Sequence, residues 1–170
     1  MLAAAFAATL AATLAAVVSS GATAPLAAQQ SPGVTATAPA PGAQEQLWDA
    51  AKAGDTVAVA AALARGAAID SLDLRRSPNG RRALNWAAWY DRPAAVEFLV
   101  RRGATVNAEN LTGFTPLHHA AENGSYDAAS ALLRLGADPI AVNGVGERPA
   151  DVARTRGHER IALLIEAAKH

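Results

Sequence analysis

The chain is expected to be an all-α solenoid: about four helix-turn-helix units stacked side by side, with short hairpin-like fingers between them. Three observations predict it. Gly136-Ala137 repeats Gly103-Ala104 at a distance of 33 residues, and Gly66-Ala67 stands 37 residues earlier still. Asn123-Gly124 is echoed by Arg156-Gly157 at the same 33-residue step. Between the glycines, apolar residues fall at helical spacing, as in Leu117, Ala120 and Ala121. A period of this length marks small units that cannot bury their apolar faces alone and so share one elongated core.

The best unit shows how the pattern works. Thr115 is placed to cap a helix whose first position is Pro116, where a missing N–H costs nothing. Gly124 ends that helix, Ser125 starts a second carrying Ala129, Leu132 and Leu133, and Gly136 ends the second. The preceding unit keeps the spacing with Leu84, Ala87 and Ala88, then Pro93, then Val96, Leu99 and Val100, then Gly103. Units are expected at about 45–72, 73–109, 110–142 and 143–169. The second is four residues longer, within Ser71 to Arg81, which lengthens its finger.

Residues 1–44 are of another kind. Fifteen Lys and Arg balance fifteen Asp and Glu, and none of them precedes Glu45. Bulk charge therefore offers no hold on nucleic acid or on an anionic membrane. Residues 2–18 are an unbroken run of Ala, Leu, Val, Phe and Thr, too short and alanine-rich for a confident membrane span. With small residues at Ala27-Ala28, residues 1–28 read as a secretory signal. No Lys or Arg precedes the run, so either the true start lies upstream or the segment is an uncleaved anchor. Residues 29–44 are rich in Pro, Ala and Thr and read as a disordered linker, leaving 45–170 as the folded domain. There is no cysteine, which excludes disulfides, thiolate metal sites and a thiol nucleophile together.

The run Gly113-Phe114-Thr115-Pro116-Leu117-His118-His119-Ala120-Ala121, with Gly136-Ala137-Asp138 and Gly103-Ala104-Thr105-Val106-Asn107, resembles the ankyrin repeat. The first unit lacks the Thr-Pro opening, and the last has Arg148-Pro149-Ala150-Asp151 and a Glu166 at a usually apolar place, as suits ends facing water. The resemblance implies a non-enzymatic protein-binding module. It also implies that the end of each first helix and the finger tips line a concave face that meets partners. Mapped onto this chain, those positions are Trp89, Tyr90, Asn79, Arg81, Leu111, Phe114, Glu122, Asn123 and Arg156, with Lys52, Thr112, Val145, Glu147 and Thr155 beside them. A small exported bacterial protein, periplasmic or secreted, monomeric and bound to a protein partner without a cofactor, is the expected whole. A host-directed effector or inhibitor is the alternative.

Several side chains carry two readings. Trp89 and Tyr90 either anchor an interface, as buried aromatics do, or Trp89 packs on Phe114. Trp86 and Trp48 read as core. The Arg75, Arg76, Arg81 and Arg82 group, with Arg101 and Arg102, either docks an acidic patch or is solvated, with Arg101 and Arg102 favoured at a helix C-terminus. His118, His119 and Glu122 form the one cluster that could hold a metal for an enzyme, since His118 and Glu122 are four apart. No third ligand is evident. By the resemblance, His118 instead bonds Thr115 and backbone, and His119 takes a packing position. No metal or catalytic residue is expected.

Overall fold

The computed structural model describes residues 40–75 and 78–169. The expected signal and most of the expected linker, residues 1–39, lie outside the described residues, as do Arg76, Ser77 and His170. Eight helices follow among the described residues: α1 (Ala43–Ala53), α2 (Thr56–Ala64), α3 (Ala83–Trp89), α4 (Pro93–Arg101), α5 (Pro116–Asn123), α6 (Tyr126–Arg134), α7 (Pro149–Thr155) and α8 (Glu159–Ala167). Each successive pair is one unit. First helices stack on first helices, α1 on α3 on α5 on α7, and second helices stack in a parallel row.

One continuous core runs through the stack. Leu47, Leu84 and Leu117 occupy the same place in the first helices, and Val59, Leu99, Leu132 and Ile165 fill the second row, all essentially unexposed. Alanines at 50–51, 87–88 and 120–121 let neighbouring helices approach, which is why so alanine-rich a chain still packs. Both Trp48 and Trp86 belong to this core. Each satisfies its indole N–H, Trp48 with the Ser71 carbonyl at 3.1 Å and Trp86 with an Asp73 oxygen at 3.1 Å.

The fold starts before the boundary expected at Glu45. Gly42 caps α1 in the left-handed region, Ala43 is fully buried, and the Ala40 N–H donates to the Arg65 carbonyl at 3.0 Å. Gln44 pairs with both backbone groups of Ala68. Residues 40–44 thus belong to the stack and not to a linker, because a helix N-terminus and a buried alanine were available to close the first unit.

Each first helix after α1 begins in the same way. The backbone N–H of the capping residue is accepted three positions on, by Asn85 Oδ1 for Arg82 (2.9 Å), His118 Nδ1 for Thr115 (3.2 Å) and Asp151 Oδ2 for Arg148 (3.2 Å). Three residue types do one job at the 33-residue step. Thr115 is the cap expected, its Oγ1 accepting from the His118 N–H at 3.4 Å. Ser125 starts α6 as expected, without a side-chain cap. Its hydroxyl donates across the stack to the Trp89 carbonyl at 2.8 Å, and Asp91 of the preceding unit accepts from Ala128 N in α6 at 2.7 Å.

Fingers are pinned by a buried side chain at their base. Asn110 Oδ1 accepts from Thr112 N, Thr112 Oγ1 and Phe114 N, each at 2.9 Å, and Asn143 does the same for Val145 N and Glu147 N. In the longer first finger the pivot is Asp73, which is fully buried, forms an isolated bridge with Arg81, and accepts from Arg75 N at 3.1 Å. Fingers also join to each other, Leu111 N to the Asn79 carbonyl and Gly144 N to the Thr112 carbonyl, both at 2.9 Å. That approach is close. A Cβ on Gly113 would lie 2.7 Å from the Gly144 nitrogen.

Candidate functional site

Between the fingers and the ends of the first helices lies a row of three hollows that share Phe114. The first, about 110 Å³, is walled by Asn79, Arg81, Asn110, Thr112, Phe114, His119 and Glu122. The second, about 430 Å³ and mostly apolar, runs between Asn79, Thr112, Phe114, Gly144 and Val145. The third, about 220 Å³, is bounded by Phe114, Glu122, Glu147, Val152, Thr155 and Arg156.

Arg81 is the side chain on which the first hollow turns. Its guanidinium lies over the rings of Trp86 and Trp89, 4.6 and 4.1 Å from their centroids. Its Nε is buried with no hydrogen-bond partner, and it has no ion-pair partner among the described residues. Burial lowers its pKa, opposed by the Glu122 carboxylate and by Tyr90. The other described arginines of the group are committed elsewhere. Arg75 pairs with Asp73 at 2.9 Å and with Asp49 at 3.4 Å, while Arg82 donates to the Asp70 carbonyl and, at 3.1 Å, to the Glu109 carbonyl. Arg101 pairs with Glu97 and Arg102 caps α4 over Phe98. The sequence showed one basic group; the fold separates it.

The two adjacent histidines differ. His118 Nδ1 takes the Thr115 N–H and lies 2.8 Å from Thr115 Oγ1, while Nε2 donates to the Glu147 carbonyl at 3.0 Å, tying α5 to the next finger. Neither ring nitrogen is left for another ligand. This is the role the resemblance implied, and it removes His118 from the metal-holding cluster considered with His119 and Glu122. His119 is 2% exposed, against Trp89 edge-on at 6.0 Å and Phe114 at 5.5 Å. Its Nε2 lies 3.5 Å from Asn110 Nδ2. Because the three hydrogen bonds fix Asn110 Oδ1 toward the finger, Nδ2 must face the imidazole, which makes Nε2 an acceptor and puts the proton on Nδ1. That Nδ1 is buried without a hydrogen-bond partner among the described residues, with Glu122 Oε2 at 3.8 Å. Burial lowers the pKa of both histidines, so both rings are neutral at pH 7. An unmade hydrogen bond of this kind costs about 1–3 kcal/mol.

Glu122 is held below its usual pKa by the His119 ring and by Arg156, against the opposing effect of burial. Its Oε1 accepts from Arg156 Nη2 at 2.7 Å, so these two charges cancel.

The expected contact residues fall into distinct places. Asn79, Arg81, Phe114 and Glu122 meet around the first hollow, and Arg156 joins Phe114 and Glu122 at the third. Trp89 packs on Arg81 and His119, so its ring serves as a platform for the guanidinium. Tyr90, 44% exposed, stacks on Trp86 at 6.0 Å. Asn123 donates to the Trp89 carbonyl at 2.8 Å, and Leu111, 63% exposed, lies at a finger tip outside the hollows. Sequence reasoning missed His119 and Asn110 as walls. A signal existed: at 33-residue steps from His119 stand Trp86 and Val152, so a polar ring occupies an apolar place.

A rigid helical-repeat scaffold with a groove along its fingers is the class that fold and site define. The family profile described as "Ankyrin repeats (3 copies)" matches residues 47–143, and the chain belongs to the ankyrin-repeat family. It is 37% identical over 89 residues to protein phosphatase 1 regulatory subunit 27 of Mus musculus, covering 52% of this chain and 55% of that one. It is 36% identical over 110 residues to a B-cell lymphoma 3 protein homolog of Mus musculus, covering 65% of this chain and 24% of the relative. An ankyrin repeat domain-containing protein of Stachybotrys chartarum is 35% identical over 97 residues, 57% of this chain and 5% of its own length. The chain thus spans about half or less of these relatives. Repeats of this family form protein-interaction modules, generally without chemistry of their own. Among the described residues no helix is long and apolar enough to cross a membrane.

Proposed function

We propose that the chain is an exported ankyrin module, periplasmic or secreted, that binds one protein partner as a monomer along the row of hollows between fingers and first helices. The carrying observation is the groove itself. Three contiguous hollows share Phe114, with two tryptophans fixing an arginine at one end and an Arg156–Glu122 pair at the other. Residues tied by inter-finger bonds keep this surface preformed, so little ordering opposes binding. The regulatory subunit named in one relative supports a partner whose own activity the module adjusts. Export is supported by the apolar run at 2–18 and the uncharged stretch before Glu45.

Affinity capture with the full chain from periplasmic and cytosolic extracts tests this. Phe114→Ala is expected to lose the captured partner. Val57→Glu, on the exposed side of α2, is expected to keep it. Capture that ignores Phe114→Ala, or that succeeds only from cytosol, would overturn the respective half of the reading.

A further inference from the structure

Two buried hydrogen-bond donors without acceptors among the described residues, Arg81 Nε and His119 Nδ1, belong to residues that wall the same cleft. Arg81 brings a positive charge that nothing described neutralises, since Glu122 beside it is already paired with Arg156. What is missing there is an acceptor with one negative charge. We propose that this cleft receives the carboxylate of an Asp or Glu side chain from the protein partner, with a large apolar residue of the same segment seated against Phe114 and Val145. This rests on the protein-binding reading above and specifies the partner's chemistry.

Size and charge select the occupant. A cleft of about 110 Å³ is several times what one water needs but well short of a pocket for a whole small ligand. It suits the end of one side chain. A carboxylate brings two acceptor oxygens and a single charge to a cleft whose walls carry two unpartnered donors and one unpaired arginine. A phosphate group would bring about one more negative charge against the Glu122 wall, where only one uncompensated positive charge is available. Arg81 is also preorganised, because Trp86 and Trp89 hold its guanidinium before any partner arrives. The adjoining apolar hollow shares Asn79, Thr112 and Phe114 with the cleft, so one extended segment reaches both.

Random peptides displayed on phage and selected on the full-length chain test the site. Selected peptides are expected to carry Asp or Glu at a constant offset from a large apolar residue. Exchanging that acid for its amide, or Arg81→Gln in the protein, should weaken binding about tenfold to a hundredfold, the range for a hydrogen bond to a charged group. His119→Phe, which keeps the packing and removes the donor, should weaken it about tenfold. Arg81→Met keeps a flexible apolar side chain beside the indoles while removing the charge and its donors, and circular-dichroism melting confirms that the stack survives. Groove-bound peptides without an acid, or peptides that bind Arg81→Met as tightly as the wild type, overturn the carboxylate site and leave the protein-binding reading standing. If the wild-type chain retains no peptide at all, reading and site fall together.

Discussion

In the third unit, His118 commits both ring nitrogens to Thr115 and to the Glu147 carbonyl, so a buried polar side chain is fully used by the fold. At the same register in the second unit, Asn85 accepts from Arg82 N, but its own amide nitrogen is buried without a partner among the described residues. The finger above it is longer, pivots on a buried carboxylate instead of an asparagine, and leads to an arginine held by two indoles. The two units share a core and differ in how completely the polar side chain at this register is satisfied. Where the repeat pattern is intact, polar groups hold the stack together. Where it departs, at Asn85 and Arg81 and at His119 in an otherwise apolar place, donors remain for something else.

The largest effects should not distinguish the units at all. Leu99→Ala and Leu132→Ala, both fully buried in the second helices, are each expected to cost about 2–5 kcal/mol in urea unfolding. Widely unequal costs would break the claim of a common core.

Acid should separate them next. Burial pushes the Asp73 carboxyl up, but hydrogen bonds from Arg75 and the charges of Arg75 and Lys52 outweigh it and hold the pKa at about 2 against 3.8 in the unfolded chain. A depressed acid stabilises above its unfolded value, so about 2 kcal/mol should be lost as pH falls from about 4 to 2. The lowered pKa values of His118 and His119 act earlier. Below their unfolded value of 6.5 the unfolded chain binds more protons, and stability should decline from there downward. Asp73→Asn should remove the later step and spare the earlier one, as read from melting temperature against pH.

A smaller effect sharpens the contrast. The Phe114 carbonyl stands in the register that the Glu147 carbonyl holds for His118. Asn85→His should give the second unit the missing link and raise stability by about 1 kcal/mol, measured by chemical denaturation. A loss would mean that the second unit's packing, and not its residue choice, sets the difference.

The parts that could be read in the sequence were those where one residue decides locally. Thr115-Pro116 opening a helix and Gly124 closing it need no tertiary context. The four extra residues before Arg81 marked a longer finger for the same reason. Three things needed the assembled stack. Pro41-Gly42-Ala43 looked like linker because only the burial of Ala43 against later helices makes it a helix start. Asp73 gave no sign of being a pivot, since its partners Lys52, Arg75 and Trp86 are drawn from two units. The arginine group looked like one patch because sequence adjacency hides that Arg75, Arg81 and Arg82 find different partners. Of the expected contact residues, Arg81, Phe114 and Glu122 converge on the first cleft, whereas Trp89 serves the site through Arg81.

The same contrast within the third unit rests on two neighbouring imidazoles carrying their protons on opposite nitrogens. Long-range proton–nitrogen NMR of the full chain at pH 7 reads this directly. His118 is expected as the Nε2–H tautomer with a slowly exchanging proton, and His119 as the Nδ1–H tautomer whose proton has no acceptor within hydrogen-bond distance among the described residues. A His119 found as Nε2–H, or doubly protonated at that pH, would contradict it.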